Sequence, residues 1–166
     1  MPYNCEQIAM RHSHSSKAAV VEPAIDDRLP LLKRVQEILG VDQLRSDQEL
    51  VARVEQGLST KTLDGLRRCG LNDDELYTLV VPRRTLTHRR ARRESLSREE
   101  SDRVVRIARI AALAEHVFGE HERAWKWLRA SQRQFRSRNP VQMLSTEAGA
   151  RLVEELLYRI DEGMAA

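Results

Sequence analysis

Two short helical patterns joined by a tight turn, between residues 71 and 93, constrain this chain's fold more than any other feature. The first pattern begins after Asn72, which is placed as a helix N-cap with Glu75 three residues later as its reciprocal partner. Pro82 ends this helix and suits the start of a second one, because its fixed φ is already helical and its missing N–H needs no partner there. The pattern predicts a helix-turn-helix, although Val80 and Val81 stand where a glycine is usual.

The second helix of this pair is dense in arginine and threonine. The planar fork of arginine matches phosphate oxygens and the O6/N7 edge of guanine, and the second helix of a helix-turn-helix enters the DNA major groove. A solvated basic face on an ordinary helix is the alternative. The side chains predicted to contact DNA are Arg83, Arg84, Thr85, Thr87, His88, Arg89 and Arg90.

Composition and charge distribution favour an all-α protein with two different surfaces. Aromatic residues make up 4% of the 166 residues, so the core must consist mainly of Leu, Val, Ile and Ala, and no run alternates as a strand would. The net charge is only +3, yet positive charge gathers in 83–93 while 154–162 is mostly acidic. Two cysteines, no signal-peptide pattern and no apolar run near the ~20 residues of a membrane span predict a cytoplasmic protein without a membrane segment.

The pattern along the chain predicts a flexible arm followed by two helical domains. Residues 1–25 mix Ser, His, Asn and Pro without a period, which indicates the arm. Three helices are predicted after the arm. An amphipathic helix lies near 27–39, a second helix begins after the capping box of Ser46 and Glu49, and a third, short helix lies near 61–68. We therefore expect a helix-turn-helix domain over residues 26–96 and a second helical domain over residues 97–166.

The second domain begins with a capping box and the longest helix of the chain. Apolar residues repeat there at alternating steps of three and four, namely Val104, Ile107, Ala111, Ala114 and Phe118. This seam fits either a core helix within one chain or a dimer interface. In the next helix Ala124, Trp127 and Leu128 share the inward face and Trp125 falls near the opposite edge, so one tryptophan is expected to be exposed for a partner.

No arrangement of residues indicates an enzyme, a cofactor or a metal site. His116, Glu120 and His121 do not have the H-E-x-x-H spacing, and Gly119 interrupts their helix. Glu154 and Glu155 are adjacent in a helix and therefore point about 100° apart, unlike an acid–base pair. We expect a protein that binds macromolecules and catalyses nothing.

The chain resembles the Xre/MbcA/ParS family of antitoxins over about residues 46–163. One matching segment is PRRTLTHRR followed by LSREESDRVVRIARI. The other is C-terminal and matches in order and spacing at Phe118, Gly119, Ala124, Trp127, Leu128, Pro140, Leu144, Thr146, Gly149, Val153, Leu157, Ile160 and Gly163. Where the family commonly has Gly-Gly before the proline this chain has Arg136 and Ser137, so a less tight loop is expected over 131–139.

The resemblance implies an antitoxin with two surfaces. The helix-turn-helix would bind the operator of its own operon as a homodimer or larger assembly with the toxin, and the C-terminal domain would cover the active site of a cognate NAD-degrading RES-domain toxin. The toxin contacts it implies are Trp125, Trp127, Arg136, Tyr158, Gly163, Met164, Ala165 and Ala166. A stand-alone DNA-binding repressor whose C-terminal domain only dimerises is the alternative, and a protein-binding module that no longer contacts DNA is a second.

Overall fold

The computed structural model describes residues 28–42 and 44–163. Over this part of the chain the protein is all-α, as predicted, with nine α-helices and no β-strand. The predicted arm, 1–25, and Met164, Ala165 and Ala166 lie outside the described residues. The helices are α1 (Arg28–Leu39), α2 (Asp47–Gln56), α3 (Thr62–Arg68), α4 (Asp73–Leu79), α5 (Arg83–Arg92), α6 (Arg98–Phe118), α7 (His121–Arg129), α8 (Pro140–Met143) and α9 (Glu147–Asp161), with a 3₁₀ turn at Arg133–Phe135.

Side-chain caps begin several of these helices where the sequence predicted them. Asn72 starts α4 with a full capping box to Glu75, and Ser97 starts α6 in the same way with Glu100. The predicted box at Ser46 is only half formed. Ser46 Oγ accepts from the backbone N–H of Glu49, but the Glu49 carboxylate accepts from the N–H of Arg45 instead of that of Ser46.

Helix α6 is the centre of the fold and packs against α1, α2, α3, α7 and α9. Its residues are apolar on nearly every side between 104 and 114, as expected of a helix that is surrounded by others. The predicted seam is part of this core, because Val104 and Ala114 are fully buried and Ile107 is 1% exposed. The seam therefore packs against other helices of the same chain, as in the core-helix alternative. A dimer interface at this seam would require these helices to move apart.

One glycine allows α3 to approach α1 more closely than any other residue would. A Cβ at Gly65 would lie 1.8 Å from the carbonyl oxygen of Ile38, well inside van der Waals contact. This contact brings α3, and with it the helix-turn-helix that follows, against the N-terminal helix. Among the described residues, no helix is both long enough and apolar enough to cross a lipid bilayer.

Candidate nucleic-acid and partner interfaces

The turn between α4 and α5 consists of Val80, Val81 and Pro82. Val80 has a φ of −110° and Val81 does not adopt a positive φ, so the bend requires no glycine. Both valines are buried, at 1% and 0% exposure. Their backbone N–H groups donate to the carbonyl oxygen of Leu76, and Arg103 of α6 donates to the carbonyl oxygen of Val80 at 3.2 Å. Packing and hydrogen bonds therefore fix the angle at which α5 leaves α4.

Helix α5 is held to the protein by one buried side chain, Leu86, as predicted. At 100° per residue the exposed side chains on its other side fall within about 140° of arc. We call this set the reading face, and it consists of Arg83, Arg84, Thr87, His88 and Ala91. With Thr85, which is half-buried, these residues line a surface depression of about 920 Å³.

The reading face carries positive charge that is not neutralised within the described residues. Neither Arg83 nor Arg84 forms an ion pair or a side-chain hydrogen bond there. The first turn of α5 contains no acidic residue, and its N-cap, Pro82, offers no side chain to the free N–H groups. Exposed N–H groups at a helix start and unpaired guanidinium groups both favour a phosphate ligand.

Arg89 and Arg90 differ from the other predicted DNA contacts, because each forms an ion pair with an acidic side chain of the same chain. The Arg89 side chain is 22% exposed, lies 2.9 Å from the Glu100 carboxylate and donates to the carbonyl oxygen of Ser95 at 3.1 Å. Arg90 pairs with Asp64 of α3 at 3.0 Å. Charge density alone did not separate these two arginines from the reading face, since the distinction depends on acidic residues elsewhere in the fold.

Trp125 does not face outward as its position in the helix pattern suggested. It is 6% exposed, and its ring lies so close to Gly70 that a Cβ there would approach within 2.7 Å. The Arg129 guanidinium covers the ring, with its carbon 4.8 Å from the ring centroid. Trp125 is thus an internal contact between α7 and the loop before α4, and its burial removes it from the surface that a partner could contact.

The other predicted partner contacts lie on several elements. Trp127 is half-buried and pairs with Phe118 at 5.4 Å between ring centroids. Tyr158 of α9 is 45% exposed and lines a cavity of about 180 Å³ together with residues of α1, α2 and α6. Gly163 is exposed and has a φ of +70°. Leu152 of α9 is 48% exposed, so α9 also presents apolar surface outward.

The loop before α8 is closed tightly although it lacks glycine. Arg136 and Ser137 have φ values of 54° and 63°, in the left-handed region that glycine adopts without strain. The N–H of Gln132 donates to the carbonyl oxygen of Arg138, and Ser131 Oγ donates to that of Ser137 at 2.7 Å. These bonds close the loop on itself with both residues in the left-handed region and without a glycine, although a less tight loop was expected.

A charged cluster that the sequence did not predict joins α1, α6 and α7. Arg34 donates to Glu115 Oε2 at 2.6 Å, and His121 Nδ1 lies 2.6 Å from Glu115 Oε1. Burial opposes ionisation of Glu115, but the hydrogen bonds from Arg34 and His121 outweigh it and lower the pKa of this carboxyl. Cys69 is buried beside it, and burial followed by the Glu115 charge raises the pKa of the thiol to about 12.

The His and Glu side chains that lie close together in the sequence do not form a metal site in the part of the chain that the structure describes. His121 contacts Glu115 instead of converging with His116 and Glu120, and within residues 28–42 and 44–163 no three His, Cys, Asp or Glu side chains are placed to bind a metal. The Cys69 thiol stays protonated at neutral pH, since its pKa is about 12. The groups most suited to bind another molecule remain the reading face and the exposed residues of the C-terminal half.

A helix-turn-helix whose Arg83 and Arg84 have no ion pair among the described residues, with further helices packed around α6, places the chain in the helix-turn-helix class of proteins. Two family models match the chain in this order. Residues 49–109 match the antitoxin Xre-like helix-turn-helix domain, and residues 113–163 match the C-terminal toxin-binding domain of Xre/MbcA/ParS antitoxins. The two matches meet within α6.

Curated relatives agree with the family models. The chain is 38% identical over 130 residues to a protein of Pseudomonas putida named Antitoxin Xre, an alignment that covers 78% of this chain and 82% of the relative. It is 29% identical over 118 residues to a protein of the same name from Yersinia enterocolitica, covering 69% of this chain and 80% of the relative. The chain belongs to the Xre antitoxin family.

Proposed function

We propose that this protein neutralises a cognate RES-domain toxin that degrades NAD, and that it represses its own operon by binding operator DNA through α5. The observation that carries the DNA-binding half is the unpaired basic reading face on a rigidly held helix. The match of residues 113–163 to a toxin-binding domain supports the other half. The protein itself performs no reaction in this scheme, since it acts by covering the toxin's active site.

The reading face would contact DNA as its sequence chemistry suggests. Arg83 and Arg84 reach phosphates or guanine edges, and Thr87 and His88 lie beside them on the same face. We no longer include Arg89 among the direct contacts, because its guanidinium is bound to Glu100. A single short recognition helix binds DNA best as one half of a two-fold dimer, so we propose a homodimer or a larger assembly with the toxin.

The toxin surface would lie on the C-terminal half and lead to the chain's end. Trp127, Arg136 and Tyr158 keep some or all of their side chains accessible. Helix α9 ends at Asp161, and the exposed Gly163 precedes three residues with small or apolar uncharged side chains. Such a segment could enter a narrow cleft without burying a charged side chain.

Co-expression with the neighbouring reading frame tests the toxin half of the proposal. A tagged copy of this chain should co-purify with the neighbour's product, and the neighbour expressed alone should deplete cellular NAD. A chain that lacks residues 163–166 should protect NAD less well while retaining its affinity for DNA. If the full chain neither retains the neighbour nor preserves NAD, the toxin proposal is wrong, and the stand-alone repressor becomes the better description.

Binding to a DNA fragment from upstream of the gene tests the other half. Because several phosphates per subunit would be neutralised, affinity should fall roughly 10³-fold or more between 50 and 200 mM salt. A scrambled fragment of the same length and composition provides the control for specificity. Equal affinity for the two fragments would contradict operator recognition, and no affinity for either would leave only a protein-binding module.

A further inference from the structure

Arg129 belongs to α7, but its side chain ends on the helix-turn-helix. Its Nε donates to Glu75 Oε1 at 3.0 Å and its Nη2 donates to Glu75 Oε2 at 2.9 Å, so the guanidinium binds the carboxylate through two hydrogen bonds. The same Nη2 also donates to the carbonyl oxygen of Gly70 at 2.7 Å. One side chain of the C-terminal half therefore holds the loop before α4 and the first turn of α4 together.

The Arg129 guanidinium stacks on the ring of Trp125. The guanidinium carbon lies 4.8 Å from the centroid of the ring, within the distance at which an aromatic face attracts a cation. The ring itself is immobilised, because it is 6% exposed and packs against Gly70. A planar guanidinium on a fixed ring loses less conformational entropy when it binds, and this favours a single position for Arg129.

Glu75 connects this contact to the DNA-binding helices. It is the third residue of α4, and its Oε2 accepts from the N–H of Asn72 while the Asn72 side chain accepts from the N–H of Glu75. The same carboxylate thus caps the first helix of the helix-turn-helix and binds α7. The turn between α4 and α5 is close-packed, because Val80 and Val81 are buried and their N–H groups donate to the carbonyl oxygen of Leu76. We therefore expect α5 to move with α4 when α4 is displaced.

We propose that Arg129 is a positioning residue for DNA binding. By holding Glu75 and Gly70 it fixes α4, and through the turn it fixes the reading face, without contacting DNA itself. The C-terminal half would then be part of the DNA-binding unit as well as the site of the partner. This inference rests on the proposed operator binding.

The affinity of Arg129→Ala and Glu75→Gln for the upstream fragment, measured over a series of salt concentrations, tests the proposal. Gln at position 75 can keep the capping box but loses the charge that Arg129 binds. Each variant should bind about 3- to 30-fold more weakly than wild type. The slope of log affinity against log salt should not change, because no phosphate contact is lost. The variant with both substitutions should bind DNA with about the affinity of the single variant that binds less tightly, since both substitutions remove the same interaction.

Arg123→Ala is the matched control. Arg123 lies on the same helix, its side chain is 69% exposed, and within the described residues its ion pair is with Glu120, the residue immediately before α7. The substitution removes the same charge from α7 without touching the helix-turn-helix, so affinity should stay within about twofold of wild type. The proposal is overturned if Arg129→Ala binds as well as Arg123→Ala. It is also overturned if the salt slope falls by about 0.9, which would make Arg129 a phosphate contact.

Hydrogen exchange provides a readout that does not depend on DNA. Amides of residues 73–92 should exchange faster in Arg129→Ala than in Arg123→Ala, because α4 has lost a support. If wild type binds no upstream DNA, the proposed function fails, and hydrogen exchange then decides only whether Arg129 holds α4 in place. Equal exchange in the two variants overturns that structural role and the proposal with it. Should Arg129→Ala not fold, Arg129→Lys replaces it, since Lys keeps the charge but cannot form the two-bond pair.

Discussion

The turn between α4 and α5 and the loop before α8 both lack a glycine at a bend, and the chain closes them in different ways. At the first, Val80 keeps a negative φ and both valines are buried, so hydrophobic packing makes the bend. At the second, Arg136 and Ser137 are exposed and adopt the left-handed region, where a side chain costs energy. The missing glycine is thus harmless in the DNA-binding half and costly in the partner-binding half.

This comparison shows that a bend in the chain does not always require a glycine. What matters is the sign of φ at the bend, and a turn between two packed helices can keep every φ negative. The turn of the helix-turn-helix is therefore packed into the core, which suits the proposed role of α5 in meeting DNA in one orientation. The loop of 131–139 holds its strained backbone by hydrogen bonds, and it is there that a glycine would improve stability.

The largest effect is expected from Val81→Gly in the first turn. The substitution removes a fully buried side chain and frees the unfolded backbone, so it should lower the free energy of unfolding by about 2–4 kcal/mol. Val51→Gly is the matched control, because Val51 is 57% exposed in α2 and should lose only about 0.5 kcal/mol of helix propensity. Denaturant titration measures both, and equal losses would mean that packing does not make the bend.

A pair of arginine substitutions separates binding from stability within α5. Arg84→Ala should weaken binding to the upstream fragment by about 1–3 kcal/mol and leave the unfolding midpoint unchanged, because Arg84 lies on the reading face. Arg89→Ala should lower the unfolding midpoint, because it strands the Glu100 carboxylate, whose side chain is 11% exposed. DNA titration and thermal unfolding of both variants check this division, and it fails if Arg89→Ala reduces the salt slope while stability is kept.

Much of the fold was predictable because its signals are local. Capping residues such as Asn72 and Ser97 mark helix starts through bonds to residues three positions away, and the structure confirms both. The buried seam of α6 followed from its spacing, although spacing could not say whether the partner helices belong to the same chain. For the family, a match in motif order was enough, and the comparisons confirm it.

What the sequence could not supply depends on residues that are distant along the chain. The side chain of Arg89 turns inward because of Glu100, and Trp125 is buried because Gly70 and Arg129 enclose it. Glu100 lies outside the helix of Arg89 and Gly70 lies outside the helix of Trp125, and a helical pattern describes one helix at a time. The positive φ at Arg136 and Ser137 was hidden for a different reason, since Arg and Ser are not residues that typically mark a left-handed position.

Glu115 offers a test of how far the two halves depend on one another, because it receives Arg34 from α1 and His121 from α7. Glu115→Gln should lower the free energy of unfolding by about 1–2 kcal/mol at pH 7. The pKa of Glu115 is lowered in the folded protein, so its contribution is fully present above the unfolded pKa and is lost as the pH falls through the folded pKa. Denaturation at several pH values should therefore show the two proteins converging in acid, and a constant difference would exclude the charged pairing.

The smallest effect, and the only stabilising one, is expected from Ser137→Gly. Glycine removes the cost of the left-handed conformation, about 1–2 kcal/mol, but adds backbone entropy to the unfolded chain, so the net gain should be about 0.5–1 kcal/mol. For a domain of this size that corresponds to a rise in Tm of about 1–4 °C. The Ser137 carbonyl still accepts from Ser131 Oγ, so the loop keeps its closing bond.

Ser145→Gly is the matched control for this last prediction, because Ser145 is also exposed and lies in a turn but has no positive φ. The same substitution there should leave Tm unchanged or lower it, since glycine gains nothing where φ is already negative. A rise in Tm at both positions would reflect the removal of serine rather than the relief of a left-handed backbone. A rise at position 137 alone would establish that the partner-binding half retains a strained turn which the helix-turn-helix avoids.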